Sequence, residues 1–382
     1  MYRMALTGIF CLVLACSTKY RLSEEDLSYP SPWPFHHGDL TAQGSIRGGS
    51  FNGKLEVLWE QEESDKPAGP LSIYYGTLIY PGAKNRMKFF DVFTGEYYGF
   101  LKSGGTAQTG VVVHDSLACF ATSPYQSWLR CINLRTGKLV WKQPIKDATG
   151  GSIIVEDNLV VSTTDGALAS YRLEDGHQLW VLETDGGCSA PPAYSDGRIF
   201  QPCDKGILYA VSAKDGSELY RVEVDDPMIG PVAVSSLIVA TDMNGKVYAI
   251  EPSDGSIMWE TPLEGPVWTT PAVADGRVFV GHSGGELVAL DKNTGQVLWQ
   301  LETNEVIKAS PIVIGDYVIV GTMTGKVFSL NTADGEVVDH RQLEGAVAHS
   351  PVTDGERVYI ATESGKIVCM GWTDEHTTSP NR

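Results

Sequence analysis

Short apolar runs separated by turn residues cover most of this chain, and the runs recur. In Thr270–Thr303, Pro271-Ala272-Val273 and Arg277–Val280 are split by Asp275-Gly276; Gly284-Gly285 then leads into Glu286–Leu290, and Thr294-Gly295 into Gln296–Leu301. Asp-Gly suits a two-residue hairpin turn because both central residues need positive φ. The pattern predicts four antiparallel strands in about 40 residues, with no segment long enough or suitably periodic for a helix.

The unit repeats. Val247–Leu263, Leu287–Thr303, Leu168–Thr184 and Leu129–Ile145 share one frame, with weaker copies at Leu208–Val224, Val327–Leu343 and Phe89–Leu101. Their turn glycines are Gly95, Gly137, Gly176, Gly216, Gly255, Gly295 and Gly335, at steps of 42, 39, 40, 39, 40 and 40 residues. A fixed period in this range marks a repeat architecture. A lone four-stranded sheet leaves both faces wet, and packing such sheets radially about an axis covers them. An aromatic four residues after the glycine (Trp141, Trp180, Tyr220, Trp259, Trp299) would wedge between adjacent sheets. Ligand stacking is the other use of such residues, but regular spacing favours packing. Gly99 and Asp339 stand at that place in two copies, so blades one and seven are expected to dock more loosely.

The ends complete the ring. His349–Trp372 supplies three strands, and Gly53–Gln61 reads as an orphan fourth strand carrying Trp59. The expected fold is all-β: an eight-bladed β-propeller of four-stranded antiparallel blades over residues 51–372, closed by N- and C-terminal strands in one blade. Ser/Thr-Pro and Gly-Pro steps (Thr270-Pro271, Ser310-Pro311, Ser350-Pro351, Gly230-Pro231) read as structural starts of inner strands.

Ahead of the ring, Arg3 and the apolar run Ala5–Ala15 read as a signal peptide, too short to span a bilayer. The run ends Val13-Leu14-Ala15-Cys16, similar to a bacterial lipobox, which would make Cys16 a lipidated N-terminus; an ordinary secretory signal is the competing reading. Ser17 after the cysteine favours the outer membrane by resemblance to enteric lipoproteins. Residues 16–50, with Pro30, Pro32, Pro34, Gly44, Gly48 and Gly49, read as a flexible tether. His36, His37 and Asp39 within it find no second cluster to complete a metal shell. Residues 373–382 read as a frayed, disordered tail.

A formal charge of −18 argues against nucleic acid as a partner. Cys188 and Cys203 flank the Asp196-Gly197 turn and could form a disulfide in an oxidising compartment. Cys119 and Cys131 are likewise symmetric about a hairpin. Cys131 and Cys369, however, occupy the small slot held by Ala249 and Ala289 elsewhere, so buried free thiols explain them equally. Tyr125 and Trp128, in the longest loop of their blade, are candidates for ligand or partner contact, with a packed loop anchor as the alternative.

The frame A-L-D-x-x-T-G-x-x-x-W, as in Ala289–Trp299, resembles the repeat of the pyrroloquinoline-quinone (PQQ) propeller family over about 320 residues. Within that family, quinoprotein dehydrogenases hold quinone and calcium in the axial funnel. This chain lacks their adjacent cysteine pair, their long insertions and an evident calcium set. It looks more similar to the BamB branch in length, lipobox, acidic balance and bare blades. That resemblance implies a non-catalytic lipoprotein scaffold without cofactor, membrane-anchored and facing the periplasm. Its expected partner is a membrane-bound protein, the outer-membrane barrel insertase. The remaining alternative is an extracytoplasmic module binding another protein or a polysaccharide.

Overall fold

The computed structural model describes residue 33 and residues 37–122, 127–146 and 150–372. Eight four-stranded antiparallel blades follow one another, seven of them with strands in sequence order and the last combining strands from both ends of the ring; the seventh carries one added parallel strand. Blade six shows the unit: Ala272–Ala274, Arg277–Gly281, Glu286–Asp291 and Val297–Glu302. These bounds lie within a residue of those read from the apolar pattern. Asp275 and Gly276 take φ of 45° and 76°, as the two-residue hairpin demands. Inner strands of neighbouring blades approach one another and surround the axis. Glu56–Glu62 pairs antiparallel with Lys366–Gly371, so one blade takes strands from both ends of the ring and closes it.

The outermost strands dock each blade on the next. The indole N–H of Trp141 donates to the Leu173 carbonyl at 2.7 Å, that of Trp259 to Lys292 at 2.8 Å, and that of Trp299 to Thr332 at 3.0 Å. Trp59 reaches Val92 at 3.0 Å, Trp180 reaches Ala213 at 3.2 Å, and the Tyr220 hydroxyl reaches Pro252 at 2.7 Å. Each ring lies on the turn glycine of the following blade. A Cβ on Gly176 would sit 2.6 Å from the Trp141 ring, so that glycine makes room for the neighbour as well as for its own φ of 72°. The aromatic turns inward through a β-bulge one residue before it. Trp259 pairs with Ala249 but Ile257 with Ile250, leaving Met258 as the extra residue. The small slot opposite the aromatic (Ala249, Ala289, Cys131, Cys369) is small because the ring fills the space above it.

Blades one and seven are not simply looser, as their missing tryptophans suggested. The Asp339 carboxylate accepts the Leu55 N–H at 2.9 Å, and Arg341 donates to the Leu55 carbonyl at 2.8 Å, clamping the closing blade through its backbone. Phe51 packs edge-on to Tyr317 beside this clamp. Blade one uses Tyr74, whose hydroxyl donates to the Asp115 carbonyl of blade two.

The tether also needs correction where it is described. Trp33, His37 and Ala42 are buried, and Ser45–Ile46 pairs in parallel with the inner strand Ile312–Ile314. Its glycines and polar residues look like a linker, but a segment held by its own carbonyls needs no apolar periodicity. Cys16 and residues 373–382 lie outside the described residues.

Candidate functional site

The face on which the inner strands begin opens into an axial cavity of ≈ 320 Å³. Its wall is built from one repeat position. Cys188, Met228, Val267, Ile307 and Val347 are fully buried anchors, and the residue after each (Ser189, Ile229, Trp268, Lys308, Ala348) lines the mouth. The fold fixes the position while the side chain varies from blade to blade, which suits a contact surface. The Ser/Thr-Pro steps hold this rim together: Thr270 N–H donates to Ser310 Oγ at 2.9 Å, and Ser310 N–H to Ser350 Oγ at 3.1 Å. Trp268, 36% exposed, is the mouth aromatic that sequence reasoning missed. Its signal was available, since it is a tryptophan nine residues past Trp259 and outside the docking frame.

Glu363 lines the cavity within 3.0 Å of Lys66 and 3.7 Å of His349. Burial holds the His349 pKa below the usual histidine range, and Lys308 and Lys66 reinforce this against Glu363. A neutral imidazole, a carboxylate paired to lysine, and an indole make a mixed surface. Among the described residues no group of three or more His, Cys, Asp or Glu side chains is arranged to hold a metal ion. The residues lining the mouth offer a calcium ion a single carboxylate, Glu363, which pairs with Lys66, and so fit a calcium-held quinone poorly.

Behind the mouth, residues of the expected tether cross the axis. His37 is buried, with Nδ1 2.9 Å from the Ala42 carbonyl and Nε2 2.8 Å from that of Pro311, next to Ser310 of the mouth wall. Burial outweighs these carbonyls and keeps its pKa below the usual range. His37 thus serves packing, and Asp39 caps its own loop by accepting the Thr41 N–H at 2.8 Å. His36 lies outside the described residues.

Of the other candidates, Trp128 begins the strand Trp128–Asn133, half buried, with the Lys142 ammonium 4.5 Å from its ring centroid. The structure does not bring it to the cavity wall, and Tyr125 lies outside the described residues. Cys188 and Cys203 form a disulfide that ties a mouth segment to the second strand of blade four, and Cys119 and Cys131 form another across a strand pair. Cys369 is free and buried.

The rim carries a second surface. The bulge that turns each docking aromatic inward leaves an aliphatic pointing out: Val140 (43% exposed), Leu179 (41%), Leu219 (49%), Met258 (58%) and Leu298 (47%). These residues sit on outermost strands, whose far edges have no sheet partner among the described residues.

A family model described as outer membrane protein assembly factor BamB matches residues 125–241 and 204–379. The chain is 22% identical over 181 residues to outer membrane protein assembly factor BamB of Yersinia pestis, covering 40% of this chain and 46% of that protein. It therefore spans about half the length of that curated relative. Among solved structures, BamB from Moraxella catarrhalis superimposes with a TM-score of 0.74 at 17% identity, covering 83% of this chain and all of that one. A quinohemoprotein alcohol dehydrogenase from Pseudomonas putida HK5 gives a TM-score of 0.76 at 13% identity, covering 94% and 83%. At such identities these likenesses show the fold, which scaffold and enzyme share. The family match spans more than half of the chain, and the chain belongs to the PQQ-repeat propeller family described as outer membrane protein assembly factor BamB.

Proposed function

We propose that this protein is a non-catalytic scaffold of the bacterial envelope, acting in outer-membrane β-barrel assembly. In this reading it is lipidated at Cys16, faces the periplasm and docks on the barrel insertase. The observation that carries the protein-binding role is the set of exposed bulge aliphatics, one on each of five outer strands. Side chains this apolar on free sheet edges are a liability unless a partner covers them. The relatives named BamB supply the kind of partner. Among the described residues no helix is long and apolar enough to cross a membrane. In this reading attachment is through a lipid on Cys16. Two acyl signals would hold the chain stably, at about 0.8 kcal/mol per buried methylene.

Affinity purification of the full chain from solubilised membranes, with mass spectrometry of what accompanies it, tests the proposal. Recovery of the insertase is expected, together with loss of the chain from the membrane fraction in Cys16→Ser. Absence of the insertase, with PQQ-dependent dye reduction by the same preparation, would overturn it in favour of an enzyme.

A further inference from the structure

Tyr194, Val234, Val273 and Val313 occupy one register position in four successive inner strands, at steps of 40, 39 and 40 residues. Their backbone N–H groups donate to the carbonyls of Leu40, Thr41, Gln43 and Gly44, at 2.7, 2.8, 2.8 and 2.8 Å. Ile73 holds the same position in blade one and donates to the Trp33 carbonyl at 3.1 Å. Five of the eight blades thus present an equivalent donor to one segment. The inner edge of each blade is a free strand edge facing the axis, and the symmetry of the ring makes these donors converge. Such an array recognises main chain, one carbonyl per blade, through the donors of the strand edges, and the segment turns through left-handed residues at Ala42 and Gly44 to reach them.

Side chains add selectivity. Gly44 takes φ of 62°, and a Cβ there would lie 2.0 Å from the His37 ring of the same segment, so the bound shape of the segment requires glycine at this place. Ser45 Oγ donates to the Val273 carbonyl at 3.0 Å. Past the wall, residues 47–50 are exposed, and a Cβ on Gly48 would meet nothing within 4 Å.

We infer that the inner wall of the ring is a binding site for a peptide main chain, read through its carbonyls, and that the chain fills it in cis with Trp33 and residues 37–46, which turn at His37, Gly38, Ala42 and Gly44 to meet one blade after another. The axis is closed to any other peptide while this segment is in place. The inference stands whether or not the protein docks on an insertase.

The test keeps the whole chain. A protease recognition sequence inserted directly after Gly48, with Gly49 kept against the Gly355 carbonyl, allows the segment to be cut from the folded, detergent-solubilised protein. The cut fragment is expected to stay with the ring through gel filtration. A fluorescent synthetic peptide of residues 33–46, in excess, is expected to replace it at one per ring, and the same peptide carrying Gly44→Val to bind at least tenfold more weakly. Loss of the fragment on cutting, whether or not the ring stays folded, would overturn the inference, as would equal uptake of the Gly44→Val peptide.

Discussion

One residue, Trp141, carries two separable contributions to its blade junction. Its ring packs on Gly176 and its N–H satisfies the Leu173 carbonyl. Trp141→Ala should cost about 3–5 kcal/mol, because the neighbouring blade cannot collapse into the space. Trp141→Phe keeps most of the packing and should cost only about 1–3 kcal/mol, chiefly for the stranded carbonyl. Urea unfolding of both variants checks the order. His37 makes the second residue-scale prediction. Burial lowers its pKa from the ordinary 6.5, so the folded protein binds its proton less readily than the unfolded chain does. Its contribution is therefore complete above about pH 6.5 and is lost as the pH falls below that value. The melting temperature should drop between pH 7 and pH 5, and drop less in His37→Gln. The docking tryptophans were legible in sequence from spacing alone. The glycine beneath each ring was read only as a turn, since the neighbour that needs its bare Cα belongs to another repeat.

At the scale of elements, the strands are readable because short apolar runs, Asp-Gly turns and a regular repeat agree with one another. The tether was misread because its docking is written in backbone carbonyls, and Pro, Gly and polar residues carry no apolar period. The polar clamp of blade seven was missed for a related reason. Asp339 breaks the aromatic rule, and its partner, the backbone of Leu55, is far away in sequence. Closure by Glu56–Glu62 on Lys366–Gly371 has a direct consequence. A chain ending at Ser364 loses the third strand of the last blade and leaves Glu56–Glu62 unpaired. Circular dichroism should show it losing the single cooperative transition of the full chain. A sharp transition with an unchanged midpoint would mean that the closing blade adds nothing to the ring.

For the whole molecule, the ring separates two surfaces. The axis is occupied by the chain's own segment and capped by a mouth of mixed chemistry, whereas the rim repeats an exposed aliphatic at each bulge. The family was legible in the sequence because the T-G-x-x-x-W frame is a fold signature. The mouth was not, since its residues sit at the one repeat position that does not recur in kind: serine, isoleucine, tryptophan, lysine and alanine in turn. As proposed, this protein works by docking a protein partner on the rim and not by chemistry on the axis. Photo-crosslinking in living cells tests it most directly, with a photoreactive amino acid placed at Met258 or Leu298 and, in a parallel strain, at Trp268. Crosslinks from the rim positions to the barrel insertase, identified by mass spectrometry, are the expected result. Crosslinks to that machinery from neither rim position, with Trp268 alone capturing a ligand or another protein, would contradict docking on the rim.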